Sequence, residues 1–236
     1  MSLSVILPCY QEEENLKILL PNISSILKKM NVNHEIIVVD TIDLNNVCKE
    51  ICEQNETLYV NRENSNTYGD AIRTGIRKAK CDYIVIMDAD GSHNPKYIES
   101  MYDTILSGYD LVIGSRYIKG GQTNNNLILK LMSYILNLTY RIIFRLNIND
   151  ISNSFKIYKR VQLQSVNTSC NNFDIVEEIL IRLKVKYNSL KIKEVPIEFN
   201  KRKYGKSKRN LFSFILSYIN TIFKLYKIKV DEQNNI

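Results

Sequence analysis

The chain has 236 residues, 44% hydrophobic and 24% charged, with a formal net charge of +7. That apolar share excludes a disordered or collagen-like chain, and the length suits one α/β domain with a sizeable core. Five cysteines (Cys9, Cys48, Cys52, Cys81, Cys170), odd in number and without Cys-x-x-Cys spacing, exclude a disulfide-stapled or zinc-ribbon class and predict a reducing compartment. The opening segment has neither a basic flank nor a small-residue cleavage site, so a strand rather than a secretory signal is expected there.

In chain order, strand-like runs fall at Ser4–Leu7, Glu35–Val39, Leu58–Val60, Tyr83–Met87 and Leu111–Gly114. Amphipathic stretches lie between them at Asn15–Lys29, Asn45–Gln54, Tyr68–Lys80 and Pro95–Leu106, the last with Asn94 as its expected cap. The alternation predicts a parallel sheet, and all-aliphatic runs such as Ile36–Val39 predict one covered on both faces. Ligands of such sheets bind beyond the strand C-termini. That places the site at Pro8–Glu12, Asp40, Asp88–Ser92 and Ser115–Tyr117.

The second half reads differently. Gly120–Asn126 is a polar loop expected to be mobile, followed by an apolar helical stretch at Leu127–Leu146 and another at Leu211–Phe223. Between these two stretches sits a basic cluster of Lys201, Arg202, Lys203, Lys206, Lys208 and Arg209. Neither stretch offers about 18 uncharged apolar residues for spanning a bilayer, so both are expected to lie on a membrane surface. A domain over residues 1–208, with 127–146 as an interfacial helix and 209–236 as an amphipathic helix and tail, is the expected organisation.

Asp88 and Asp90 close the run Ile84-Val85-Ile86-Met87-Asp88-Ala89-Asp90. In an extended chain, residues two apart point to one side, and two carboxylates there call for a cation. A hard divalent ion bound to a diphosphate meets that need.

Around this pair the sequence resembles the family-2 glycosyltransferases of GT-A fold, and within them the dolichol-phosphate mannosyltransferase (polyprenyl-phosphate sugar synthase) branch. The resemblance rests on Val5-Ile6-Leu7-Pro8-Cys9-Tyr10-Gln11-Glu12, Asp88-Ala89-Asp90-Gly91-Ser92-His93, Gly114-Ser115-Arg116-Tyr117 and Asp150-Ile151-Ser152-Asn153-Ser154-Phe155-Lys156. Two further motifs, Glu194-Val195-Pro196-Ile197 and Arg202-Lys203-Tyr204-Gly205-Lys206-Ser207-Lys208, point to the mannosyltransferase branch. The resemblance implies a nucleotide-sugar pocket lined by Pro8, Tyr10, Glu12, Asp40, Asp88, Ala89, Asp90 and Arg116. It implies Mg²⁺ or Mn²⁺ at Asp88, Asp90 and Ser92, and an acceptor phosphate met by Arg116, Glu178, Arg202, Ser207 and Lys208. Asp88, Asp90, Arg202 and Lys208 would carry catalysis. Glu177, next to Glu178, is the other reading of the helix acid.

The implied reaction moves mannose from GDP-mannose to dolichyl phosphate with inversion. It would take place at the cytoplasmic face of the endoplasmic reticulum membrane, or at a cytosolic membrane surface in a non-eukaryote, with small membrane subunits as anchors. A UDP-sugar enzyme and a non-catalytic relative are the alternatives. Asp40-Thr41-Ile42-Asp43, where the family has Asp-Asp-Gly-Ser, keeps the donor open. A nucleic-acid partner is not expected, given acids at the strand ends.

Overall fold

A computed structural model describes residues 1–204 and 211–233, with side chains of the final helix described over 217–230. The expected Ser207 and Lys208 contacts therefore lie outside the described residues. In chain order the elements are β1 Ser2–Pro8, α1 Glu13–Lys29, β2 Asn33–Asp40, α2 Asn46–Gln54, β3 Leu58–Asn61, α3 Tyr68–Lys78, β4 Tyr83–Ile86, α4 Tyr97–Leu106 and β5 Leu111–Ser115. There follow β6 Gln122–Thr123, α5 Leu127–Phe144, β7 Lys156–Lys159, α6 Arg160–Gln164, α7 Ile175–Lys186, β8 Ile192–Pro196, β9 Glu198–Phe199 and α8 Leu211–Gln233.

Seven strands form one sheet in the order β3-β2-β1-β4-β7-β5-β8. All neighbours pair in parallel except β7, which runs antiparallel to both β4 and β5. Successive strand residues point to opposite faces. Ile6, Ile37, Val39, Ile84, Ile86, Leu111 and Ile113 accordingly join α3, α5, α7 and α8 on one face. Val5, Leu7, Ile36, Val38, Val85 and Val112 join α1, α2 and α4 on the other. This two-sided burial is why the strands lack apolar–polar alternation. Gly75 lets α3 approach β1, since a Cβ there would stand 2.4 Å from the Ile6 side chain.

Several expectations are corrected. α4 begins at Tyr97, because Asn94 closes a turn instead: its side chain accepts from the Lys96 amide at 3.0 Å. The 120–126 segment is not a free loop, since β6 within it pairs with β9. Asn126 then caps α5, accepting from the Leu129 amide at 2.9 Å. The last helix packs on the domain through Tyr218, Thr221 and Leu225, which are buried. α5 is long and apolar enough to cross a membrane by length and composition, contrary to the expectation that it falls short. It rests on the core through Asn137, Tyr140 and Phe144. Leu127, Ile128, Leu131, Tyr134, Ile135 and Ile142 are exposed.

Candidate active site

The C-terminal ends of β1, β2, β4 and β5 meet along one edge of the sheet. After Pro8 the chain turns sharply, with Gln11 in the left-handed region at φ 56°, and enters α1 through Glu12. Asp40 ends β2 almost wholly buried, its carboxylate accepting from the Thr41 amide at 2.8 Å and the Tyr59 hydroxyl at 3.4 Å. Burial raises the Asp40 pKa. The turn that lacks the family glycine is rebuilt by amides. Asn66 accepts from the Ile42 amide at 2.8 Å, and Asn61 donates to the Thr41 carbonyl at 2.6 Å. Asn45 caps α2 by accepting from the Cys48 amide at 3.2 Å. Tyr10, Gln11, Asp40, Thr41, Asp43 and Asn45 surround a hollow of about 320 Å³, of a size for a nucleoside.

β4 stops at Ile86, so Asp88 and Asp90 are placed by a turn rather than by strand alternation. Gly91 follows with φ 78°, a value that favours glycine. His93 organises the turn from beneath: its Nδ1 accepts from the Asp88 amide at 3.0 Å, and Nε2 bonds Asn153 Oδ1 at 2.9 Å. A backbone amide can only donate, so Nε2 carries the proton and the imidazole is neutral. Burial lowers its pKa, consistent with that state. Tyr68 donates to Asp88 Oδ1 at 3.0 Å while its ring stacks on Phe173 at 4.2 Å. Burial alone would raise the Asp90 pKa, but the Ser92 hydroxyl, the Ser92 amide at 3.0 Å and the Arg202 charge lower it overall.

Arg202 reaches Asp90 at 3.3 Å and Glu12 at 2.9 Å, so the one described basic-motif residue expected at the phosphates does sit at the strand ends. Arg116 is differently placed. It is buried, and its guanidinium forms a bidentate pair with Asp150 at 2.6 and 2.7 Å. Burial would lower its pKa, but Asp150 raises it. Ser133 and Ser152 take further contacts from its Nη2 at 3.2 and 3.1 Å. Arg116 therefore braces the wall behind Asp88 and is largely occupied within the protein.

The neighbouring helix acids divide cleanly. Glu178 accepts from the Ser169 and Cys170 amides at 2.9 and 2.7 Å and pairs with Arg182 at 3.0 Å. Burial would raise its pKa, yet these donors bring it down to about 2. Such a carboxylate holds a loop in place. Glu177 is fully buried, and the Tyr218 side chain lies against it. Burial pushes its pKa up to about 8, and it faces Lys156, a lysine with no exposed surface whose own pKa burial lowers to about 8.

A hard divalent ion fits the oxygen set of Asp88, Asp90 and Ser92. The buried Ser92 side chain lies against the Asp90 carboxylate, which already attracts a cation in Arg202. In a second group, Cys9, Asp40 and Cys48, the possible ligand atoms lie within 4.8 Å of one another. Its thiols suit soft ions, and burial with mutual contact raises the Cys9 pKa well above the ordinary value, so it is a poor host for Mg²⁺.

Residues 4–166 match the model of glycosyl transferase family 2. The chain belongs to that family. This glycosyltransferase is 33% identical over 233 residues to a dolichol-phosphate mannosyltransferase of Pyrococcus furiosus, covering 96% of the chain. The chain spans 64% of the length of that relative. A polyprenol monophosphomannose synthase of Mycolicibacterium smegmatis is 28% identical over 214 residues, covering 86% of the chain and 79% of the relative. Among solved structures, glucosyl-3-phosphoglycerate synthase from Mycobacterium tuberculosis, in complex with Mn²⁺, UDP and glucosyl-3-phosphoglycerate, superposes with a TM-score of 0.74 at 18% identity. The match covers 96% of the glycosyltransferase and 80% of the synthase, and agrees with the GT-A fold.

Tyr68 had no sequence signal as a partner of Asp88. His93, Asp150 and Asn153 lay inside the recognised motifs, but only the fold reveals them as supports. Pro8, Tyr10, Glu12 and Asp40 gather at the ends of β1 and β2, and Asp88, Ala89, Asp90 and Ser92 on the turn that follows β4.

Proposed function

We propose that this family member is an inverting glycosyltransferase that moves mannose from GDP-mannose to dolichyl or another polyprenyl phosphate, giving a β-mannosyl phosphate lipid and GDP. The identity shared over 96% of the chain with a dolichol-phosphate mannosyltransferase carries this reading. The acceptor phosphate oxygen is already anionic, so the protein needs no strong general base. Its task is to align that oxygen behind the anomeric carbon and to neutralise the departing diphosphate.

The nucleoside would occupy the hollow beside Asp40 and Tyr10. Mg²⁺ or Mn²⁺ held by Asp88, Asp90 and Ser92 would supply charge to the leaving diphosphate. Arg202 would orient phosphate from the opposite side, with Ser207 and Lys208 of the same motif as further partners. Arg116 supports this arrangement by fixing the end of β5 against Asp150.

The exposed apolar residues of α5, together with Ile219, Phe223 and Tyr226 of α8, suit a membrane surface on which a polyprenyl tail stays in lipid. That reading places the protein at the cytoplasmic face of the endoplasmic reticulum, or at a cytosolic membrane surface in a cell without one. Small membrane subunits are candidate anchors.

The test is transfer by purified protein with Mg²⁺ or Mn²⁺, a short polyprenyl phosphate in detergent, and GDP-mannose or UDP-glucose. Mannolipid from GDP-mannose, absent in Asp90→Ala, supports the reading. Glucolipid alone would replace it with a UDP-sugar enzyme, and no product from folded protein would overturn it.

A further inference from the structure

Arg202 stands between carboxylates from two different strand ends, Glu12 after β1 at 2.9 Å and Asp90 after β4 at 3.3 Å. The segment that carries it is fastened over the Asp90 turn. The Asn200 amide donates to the Ser92 carbonyl at 2.9 Å, and the Lys203 amide donates to the Asp90 carbonyl at 3.3 Å. The methylenes of Lys203 also cover Gly91. Glu12 is buried, and both its oxygens are engaged within the protein: Oε1 by Arg202, and Oε2 by Asn15 Nδ2 at 2.5 Å. A carboxylate so enclosed has little left to offer a nucleotide, whose pocket the family resemblance has it line.

Arg202 thus gives Asp90 a positive neighbour drawn from the chain itself. A divalent ion bound by Asp90 and the guanidinium at 3.3 Å would repel each other, so binding of the ion displaces that contact. Glu12 is the partner that remains. We infer that Glu12 is a positioning residue: it retains Arg202 beside the site when a divalent ion takes Asp90, and Arg202 is the competitor that the ion displaces. The exchange keeps one cation on Asp90 in both states and leaves the guanidinium within reach of the diphosphate. This inference rests on the divalent-ion reading of Asp88 and Asp90.

The test is a Mn²⁺ titration of nucleotide-free protein, following loss of the free-ion electron paramagnetic resonance signal, for wild type, Glu12→Gln, Arg202→Gln and the double variant. Arg202→Gln removes the competitor and should tighten Mn²⁺ binding roughly three- to tenfold. Glu12→Gln leaves Arg202 to Asp90 alone and should weaken binding by a similar factor, an effect that disappears in the Arg202→Gln background. Distortion of the fold would weaken binding in both single variants, so opposite signs are the signature. If Glu12→Gln weakens binding equally with and without Arg202, or Arg202→Gln fails to tighten it, the inference is overturned. Absence of Mn²⁺ binding in wild type, or binding that survives Asp90→Asn, overturns the divalent-ion reading itself.

Discussion

Replacing Asp150 with asparagine would leave the shape of the site almost unchanged and remove its charge. Asp150 has no exposed surface and accepts three hydrogen bonds from Arg116: from the amide at 2.8 Å, from Nε at 2.7 Å and from Nη2 at 2.6 Å. Its own amide donates to Glu194 at 2.9 Å, so the surrounding backbone has no slack through which to rearrange. Arg116 cannot shed its proton, and the Ser133 and Ser152 hydroxyls offer no counter-charge. Breaking one partner of such a buried pair costs about 3–5 kcal/mol. For a domain of this size each kcal/mol lowers Tm by roughly 2–4 °C, so Asp150→Asn should melt about 6–20 °C below wild type. Urea denaturation followed by circular dichroism gives the same quantity at constant temperature. The decisive comparison is Arg116→Met with Asp150→Leu, which removes both charges and should return to within about 2 kcal/mol of wild type. A cost under about 1 kcal/mol for Asp150→Asn would refute the assignment. So would a double variant whose loss equals the sum of the two single ones.

Gly69→Ala should cost about 3 kcal/mol in urea denaturation, because a Cβ there would stand 2.1 Å from the Cys170 carbonyl oxygen, a backbone atom that cannot step aside; an unchanged midpoint would count against the packing of α3 on residues 170–171. Glu177, ordinarily 4.5 and raised to about 8 by burial, keeps its proton in the folded state where the unfolded chain has lost it. Its contribution is therefore full below about pH 4.5 and is lost as the pH rises to about 8, at most about 5 kcal/mol. Glu177→Gln should flatten that slope between pH 5 and pH 8, and a slope that persists would place the titration elsewhere. Lys156 acts in the opposite sense and only above this window, since burial brings its pKa down from 10.5 to about 8. Leu131→Asp with Ile142→Asp, both exposed on α5, should release the protein from anionic vesicles in a flotation assay without lowering Tm. A lower Tm would show that these side chains pack within the domain.

The first five strands were legible because each contains a short run of Ile, Val and Leu, such as Ile36–Val39, a composition that suits a doubly covered sheet. β7 was not, because Lys156-Ile157-Tyr158-Lys159 begins with a charged residue, and nothing local tells that the Lys156 ammonium ends on the Ile151 and Asn153 carbonyls. The resemblance implied a phosphate contact for Arg202; its contacts with Glu12 and Asp90 became visible only in the fold. Arg116 was harder: its partner Asp150 is 34 residues away, and only the fold shows that the guanidinium turns toward that partner. The choice between Glu177 and Glu178 was likewise invisible. Adjacent helix positions differ by about 100° around the axis, and the sequence does not say which of the two meets the amides of 169 and 170. The rebuilt turn at Asp40 illustrates a third limit, because Asn61 and Asn66, about 20 residues further along the chain, help to hold it.

The antiparallel β7 also has a consequence for how the chain assembles. β4 and β5 carry the two halves of the site, yet they never touch through backbone hydrogen bonds; β7 lies between them. While the polypeptide is still being synthesised, β3, β2 and β1 have all their partners among the first 86 residues, whereas β4 has only β1, and β5 has none, until residue 159 has emerged. During that interval β4 presents an unpaired, aliphatic border, the kind of edge that neighbouring chains can join. A fragment ending anywhere between residues 87 and 155 would keep that border permanently, which predicts aggregation rather than a soluble half-domain.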